Sequence, residues 1–292
     1  MECNIQNLSI IQENNMKLSI ITVNFNNLEG LKRTAYSVLS QTWRDFEWLI
    51  IDGGSTDGSK EFIEHIFHNL SQKEEFQNPI SYWCSEKDEG VYNAMNKGII
   101  KANGDYLNFM NSGDVFYENN TLELVFKEDH SSDILFGDWK RIIHGREEHM
   151  HFPTPVEIYS FFKENICHQA MFIRRDYHLN HFYDETYRIL ADYKNWAKAS
   201  LDGASFSFVP QSICIVTIDG ISSKLDMAQL REIERLKQDV WPETVRLSLE
   251  RLESELESPY QMRVRTLMGK GGLPRLLTRL WLKVLSVVFN VA

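Results

Sequence analysis

Four apolar runs, each stopped by polar residues and each followed by a helical stripe, constrain this chain more than any other feature. Lys17–Phe25 (KLSIITVNF) is rich in β-branched residues and predicts a buried strand, ended by the turn Asn24–Asn27. Leu28, Leu31, Ala35, Val38 and Leu39 then recur at helical spacing as far as Gln41. Phe46–Ile51 predicts a second strand, closed by Asp52 and GGSTDG, with Phe62, Ile63, Ile66, Phe67 and Leu70 as the stripe behind it. Ile80–Cys84 predicts a third strand, and Val91, Met95 and Ile99 a helix. Tyr106–Met110 predicts the fourth strand, ending at Asn111-Ser112-Gly113-Asp114. Such alternation with short connections predicts an α/β fold, a parallel sheet covered by helices on both faces. Ligands of such sheets lie at the carboxyl ends of the strands. Asp52, Glu86, Asp88 and Asp114 all stand just past one.

The second half is less regular. Asp133–Phe136, Ala170–Ile173, Phe206–Val209 and Ile213–Ile218 predict strands, and Asp192–Leu201 a short helix. Leu225 to about Val240 predicts a charged amphipathic helix that restarts at Trp241-Pro242, with proline in a first-turn position. The net charge is −10, yet residues 258–292 hold six basic side chains and no acidic one. The longest apolar stretch there, Val284–Val291, is too short to span a bilayer, which takes about 20 residues. Leu273–Ala292 therefore predicts a basic helix lying on an anionic membrane surface. The alternative is a helix packed on the domain or within a homo-oligomer.

With 43% hydrophobic residues and seven tryptophans, the chain has ample core, which excludes a disordered protein. A pI near 5.4 argues against a nucleic-acid partner, because an acidic surface repels a phosphate backbone. Four scattered cysteines without a CxxC pair suit reduced thiols in the cytoplasm. Met1–Met16 is polar and lacks the apolar core of a signal peptide.

Asp52, beside Gly53 and Gly54, can accept hydrogen bonds from a base or ribose, or can simply close an Asx turn. Asp57, before Gly58 and Ser59, reads as a structural turn or cap. Glu86, Asp88 and Glu89 crowd three acids that would repel a diphosphate unless a cation, ribose hydroxyls or solvent face them. Tyr92, Asn93, Asn96 and Lys97 open a helix whose positive end suits an anionic ligand, although a helical lysine is usually solvated. Spacing alone makes Asp192 a helix N-cap. Arg174 and Arg175 suit either phosphate or nearby acids. No GxGxxG follows the first strand and no HExxH occurs, so neither a dinucleotide site nor that zinc pattern has support.

In order, SIITVNFNNLEGLKRTAYSVLSQ, EWLIIDGGSTDGS and SEKDEGVYNAMNKGIIKANGDYLNFMNSGD closely resemble the inverting family 2 glycosyltransferases, in the variant of bacterial colanic-acid and exopolysaccharide enzymes. The resemblance runs from about Met16 to Gly220. It implies the GT-A fold, a Rossmann-like, mostly parallel sheet, here with a C-terminal helical extension. The expected organisation is a polar tail (1–15) outside the resemblance, a catalytic domain (16–223, divided at 114/115 into donor and acceptor halves) and a helical region (224–292) whose basic tail also lies outside it. Donor contacts are implied at Val23, Asn24, Asn26, Asp52, Gly53, Asp88, Asn96, Lys97, Ser112 and Gly113. NSGD stands where the family carries a DxD-type motif, which makes Asp114 the ligand of Mg²⁺ or Mn²⁺ with Asn111 as a weak partner. The shortened motif weakens that grip. Ile189-Leu190-Ala191-Asp192-Tyr193 matches the family's ED/xD motif, so Asp192 becomes the general base. His168, Gln169 and Tyr193 fall where acceptor or diphosphate would bind, and Gly220-Ile221-Ser222-Ser223 matches a loop closing over the donor.

The implied reaction moves a sugar from a nucleotide-diphosphate donor, with UDP the first guess, to a saccharide or lipid-linked saccharide. The expected location is the inner face of the cytoplasmic membrane. The competing reading is a catalytically degenerate sugar-nucleotide-binding or scaffold subunit of a polysaccharide assembly complex, which the reduced NSGD motif keeps open. A nucleotidyltransferase is disfavoured, because no GxGxR-type loop follows the first strand.

Overall fold

A computed structural model describes residues 17–72, 78–143, 145–217 and 227–256. The expectations for the N-terminal tail, for residues 220–223 and for the basic tail at 258–292 lie outside them, as does the proposed boundary at 223/224. The chain divides into two compact units, Met1–Leu236 and Lys237–Ala292.

Among the described residues, the first unit is built on a nine-stranded sheet of order β3-β2-β1-β4-β8-β6-β9-β5, with β7 also paired to β6. Strands β1 (Leu18–Asn24) and β2 (Phe46–Asp52) are buried along their whole length, as strands covered on both faces must be. Their few polar side chains are paired internally. Ser19 donates to Glu47 (2.6 Å), and the Trp48 indole donates to Thr22 (2.9 Å). β1 lies between β2 and β4 (Tyr106–Phe109), parallel to both, and β3 (Ile80–Ser85) extends the sheet beyond β2. The connecting helices are α1 (Leu28–Leu39), α2 (Ser59–Ser71) and α3 (Val91–Lys101). A Cβ on Gly98 would stand 2.5 Å from Ile21 Cγ2, so a side chain there would push α3 off β1.

Beyond β4 the sheet departs from a purely parallel arrangement. β8 (Met171–Arg174) runs antiparallel to β4 and to β6 (Ile134–Ile143), whereas β6 and β9 are parallel. The two strands expected at 206–209 and 213–218 are one, β9 (Phe206–Thr217). Its register against β6 shifts between Phe136 and Trp139, and Pro210 is exposed, so the proline occupies an irregularity in the ladder instead of ending the strand. Elements without a sequence signal complete the unit: β5 (Val115–Phe116), α4 (Thr121–Phe126), β7 (Arg146–Met150), α5 (Ile158–Lys163) and α6 (Arg175–Leu179).

Helix α7 (Ala191–Asp202) follows, then α8 (Met227–Val240) and α9 (Glu243–Leu256). Pro242 directly precedes α9, and its carbonyl accepts from Arg246 N (2.9 Å). Among the described residues no helix is long and apolar enough to cross a membrane.

Candidate active site at the carboxyl ends of the strands

The polar residues predicted at strand ends are brought to one edge of the sheet. Asn24 lies opposite Asp52 in the β1–β2 register, and the turn after β4 is tied to β1 through Ser112 N to Val23 O (3.1 Å). Helix α1 fixes the same turn. The Thr34 hydroxyl contacts the carbonyls of Asp114 (2.7 Å) and Asn111 (3.2 Å) and accepts from Gly113 N (2.9 Å). Asn27 caps α1 by accepting from Gly30 N (3.1 Å) and donates to Ser112 O (3.0 Å). NSGD is thus held from two sides before any ligand arrives.

Asp52 is fully buried beneath the following loop. Its carboxylate accepts from Asn24 Nδ2 (2.7 Å), Ser55 N (2.9 Å), Ser55 Oγ (2.6 Å) and Ser85 Oγ (2.6 Å). Burial opposes its ionisation, but these donors outweigh burial and hold its pKa below the ordinary aspartate value. A nucleoside could reach this carboxylate only by displacing one of its own partners. Asp57 accepts from Leu28 N (2.8 Å) and from Ser59, which makes it the expected turn residue.

Asp88 is half-buried against Gly53, where a Cβ would meet its Oδ2 at 2.6 Å, and accepts from Gly90 N (3.0 Å). Phe25 lies on the other flank of Gly53 and is 64% exposed. The sequence reading missed it. The available signal was an aromatic residue placed directly between a strand and its polar turn. Asn26 has φ +48° and accepts from Thr56 N (2.9 Å).

Two other expected donor contacts are already engaged within the protein. Asn96 is buried, donates to Tyr183 O (3.0 Å) and Glu185 (2.8 Å), and accepts from Tyr183 N (3.0 Å), so it ties α3 to the loop before α7. Lys97 pairs with Glu86 at 2.8 Å, which lowers the glutamate pKa and raises that of the lysine. Tyr193 donates to Phe161 O, in the scaffold around α5. Arg175 donates to Ala102 O (2.6 Å), and Arg174 lies 5.9 Å from the Tyr106 ring centre, at the far end of β4 from Asn111.

The densest network joins the two carboxylates expected to carry the chemistry. A 3-10 turn, His168–Ala170, precedes β8. The fully buried amide of Asn108, in β4, donates to Gln169 O (3.0 Å) and Met171 O (2.8 Å) and fixes that turn. Gln169 Nε2 donates to Asp114 Oδ2 (2.6 Å). The adjacent His168 donates through Nδ1 to Asp192 Oδ2 (3.0 Å), while its Nε2 accepts from Asn111 Nδ2 (2.9 Å). The Tyr92 hydroxyl lies 3.0 Å from Asp192 Oδ1 and 2.6 Å from Ile189 O. The Asn108 and Tyr92 contacts escaped the sequence reading, although an asparagine inside an apolar strand was a visible irregularity.

Burial opposes ionisation of Asp192, but bonds from His168, the Tyr193 backbone and Tyr92 prevail and lower its pKa. Burial alone would lower the His168 pKa, yet the bond to and charge of Asp192 raise it. Tyr92 is pushed well above the ordinary tyrosine range, first by burial and then by Asp192. Asp192 is therefore held as a carboxylate in a buried setting.

Among the described residues no cluster of three ligating side chains exists for a metal ion. The turn carrying Asp114 does contain a buried oxygen, Asn111 Oδ1, without a hydrogen-bond partner among them. One carboxylate and one amide oxygen suit a hard divalent ion that takes its other ligands from phosphate and water.

The family model described as Glycosyl transferase family 2 matches residues 19–195. A PGL/p-HBAD biosynthesis glycosyltransferase of Mycobacterium tuberculosis is 33% identical over 180 residues, which cover 60% of this chain and 66% of that protein. An uncharacterised glycosyltransferase of the same species is 41% identical over 100 residues, 34% of each chain. The chain thus spans just under two thirds of the length of the first of these curated relatives. The fold is similar to that of Staphylococcus aureus TarS 1–349 in complex with UDP-GlcNAc (TM-score 0.60, 16% identity, covering 80% of this chain and 70% of that one). It is also similar to the mannosyltransferase PcManGT of Pyrobaculum calidifontis in complex with GDP-Man and Mn²⁺ (TM-score 0.51, 12% identity, covering 91% and 82%). At these identities the likeness speaks for the fold alone.

Proposed function

Because the chain belongs to glycosyl transferase family 2 and has the GT-A fold of those enzymes, we propose that it is an inverting glycosyltransferase acting on a nucleotide-diphosphate sugar. The observation that carries this reading is the single 3-10 turn that bonds Asp114 through Gln169 and Asp192 through His168. The acceptor hydroxyl attacks the anomeric carbon as the bond to the diphosphate breaks, the electron pair leaves on the diphosphate oxygen, and Asp192 takes the hydroxyl proton. His168 and Tyr92 hold the two oxygens of that carboxylate. Asp114 and Asn111 would hold a divalent ion, which supplies positive charge to the departing diphosphate.

Phe25 joins Gly53 and Asp88 on the nucleoside side, with Phe25 as the stacking platform and Asp52 as the support beneath the loop. Stacking on an aromatic ring contributes about 1–3 kcal/mol per base. Phe25→Ala is therefore expected to weaken donor binding by roughly 5- to 150-fold while kcat changes little, as a titration of donor affinity beside steady-state rates would reveal.

The TarS and PcManGT structures contain UDP-GlcNAc and GDP-Man, so uridine and guanosine donors come first in a test. The basic composition of residues 258–292 supports an acceptor at an anionic membrane surface, a saccharide or lipid-linked saccharide. A thermal-shift panel of UDP-, GDP- and dTDP-sugars with Mn²⁺ tests the function. One nucleotide class is expected to raise Tm, and the protein is expected to release its nucleotide by slow hydrolysis or by transfer. A chain that binds none of them and hydrolyses none is not this enzyme. Binding without any turnover would mark the scaffold subunit instead.

A further inference from the structure

Helix α7 carries Asp192 but begins without a capping side chain of its own, since Leu190 occupies the N-cap position. Glu232, on α8, instead holds the segment that leads into the helix. Its carboxylate accepts from the backbone N–H groups of Arg188 (2.6 Å), Ile189 (2.9 Å) and Leu190 (3.2 Å). Arg235 lies three residues on, on the same face of α8. It contacts the Thr186 hydroxyl (2.8 Å) and carbonyl (3.3 Å) and lies 4.2 Å from the Tyr187 ring centre and 4.0 Å from Asp184. From the other side, the Tyr92 hydroxyl meets Ile189 O and Asp192 itself. The strand of backbone leading to Asp192 is therefore gripped twice, by an anion on three successive N–H groups and by a phenol on the intervening carbonyl.

We infer that α8 is a latch for the catalytic base, with Glu232 and Arg235 as positioning residues that set the direction of the Asp192 carboxylate without touching either substrate. The inference rests on the reading of Asp192 as the base. Both residues lie outside residues 19–195, the stretch that the family model matches. Three charge-assisted bonds hold Arg188–Leu190 in one conformation. Without them the segment gains alternatives, and small displacements of a catalytic group are costly in rate.

The test uses the full chain and measures kcat, donor KM, donor-induced Tm shift and amide hydrogen exchange. Glu232→Ala is expected to lower kcat about tenfold, leave donor KM and the donor-induced shift at wild-type values, and speed exchange at 188–193 while β1, β2 and β4 stay protected. Glu232→Gln, which retains an acceptor oxygen, is expected to recover part of the rate. Arg235→Gln is a milder change that keeps the test open should Glu232→Ala fold poorly, and a smaller kcat loss with unchanged KM is expected. In an Asp192→Asn background, removing Glu232 is expected to cost nothing further. Wild-type kcat in Glu232→Ala, equal losses in both backgrounds, or kcat and donor KM worsening together would each overturn the latch. If the wild-type protein transfers no sugar and matches Asp192→Asn, the proposed function fails instead, and exchange at 188–190 alone then decides the latch.

Discussion

Asp192→Asn is expected to reduce sugar transfer by roughly 10²- to 10⁴-fold, the usual contribution of a positioned base, while leaving donor binding intact. The amide can still accept from Tyr92 but can no longer take the acceptor's proton. Where the wild-type carboxylate accepts from His168 Nδ1, a donating NH₂ now faces a donor, unless the amide turns over and donates to the Tyr92 oxygen instead. The nucleoside-side residues Phe25, Gly53 and Asp88 make none of these bonds, so the donor-induced rise in Tm should match wild type. Single-turnover rates with acceptor, measured beside that thermal shift, separate the two effects. Wild-type turnover in the variant would remove Asp192 from the mechanism.

Acid is expected to destabilise the protein well before its carboxylates titrate. His178 is completely buried among Phe109, Tyr183 and Trp196, and burial lowers its pKa to about 4. Its unfolded value is about 6.5, so the unfolded chain binds this proton first. The stability supplied by the neutral ring is complete above pH 6.5 and is lost as pH falls towards 4. The gap corresponds to about 3 kcal/mol, or roughly 10 °C in Tm for a domain of this size. Asp52 and Asp192, whose pKa values are lowered, add their losses only below the ordinary aspartate range. His168, whose pKa is raised, contributes in the opposite sense, with stability lost as pH rises through its folded value. Melting curves from pH 7.5 to 4.5 should slope down for the wild type and more gently for His178→Phe. Identical slopes would mean that His178 does not govern the acid limb.

The first half of the fold was legible because each strand there announces itself twice, by a β-branched run and by the polar stop that ends it. β1 to β4 accordingly fall within a residue or two of their expected bounds. The second half hides its elements for physical reasons. β5 is two residues long, and β7 (REEHM) carries charge on successive positions, because an edge strand needs no apolar face. β9 runs through Pro210, which a local rule reads as a stop, because its pairing with β6 absorbs the irregularity.

The site divides along the same line. NSGD, His168-Gln169 and Asp192 could be found from motif order, since those residues are named by the resemblance. What spacing cannot tell is whether a polar side chain meets a ligand or props up the loop that does. Asp52, Asn96 and Tyr193 look alike in sequence to ligand-facing groups, yet each is bonded within the protein. Conversely, the Tyr92–Asp192 contact joins positions 100 residues apart. It exists only once the fold has brought the starts of α3 and α7 together.

The buried amide of Asn108 has a consequence for anyone recombining enzymes of this kind. By pinning the turn at His168 and Gln169 to the middle of β4, it makes the separation between the two ends of the reaction a property of the sheet and not of any loop. Blocks exchanged between relatives must therefore carry residues 108–114 and 167–171 as one cassette. A crossover placed between them would join halves whose spacing was set by different parents.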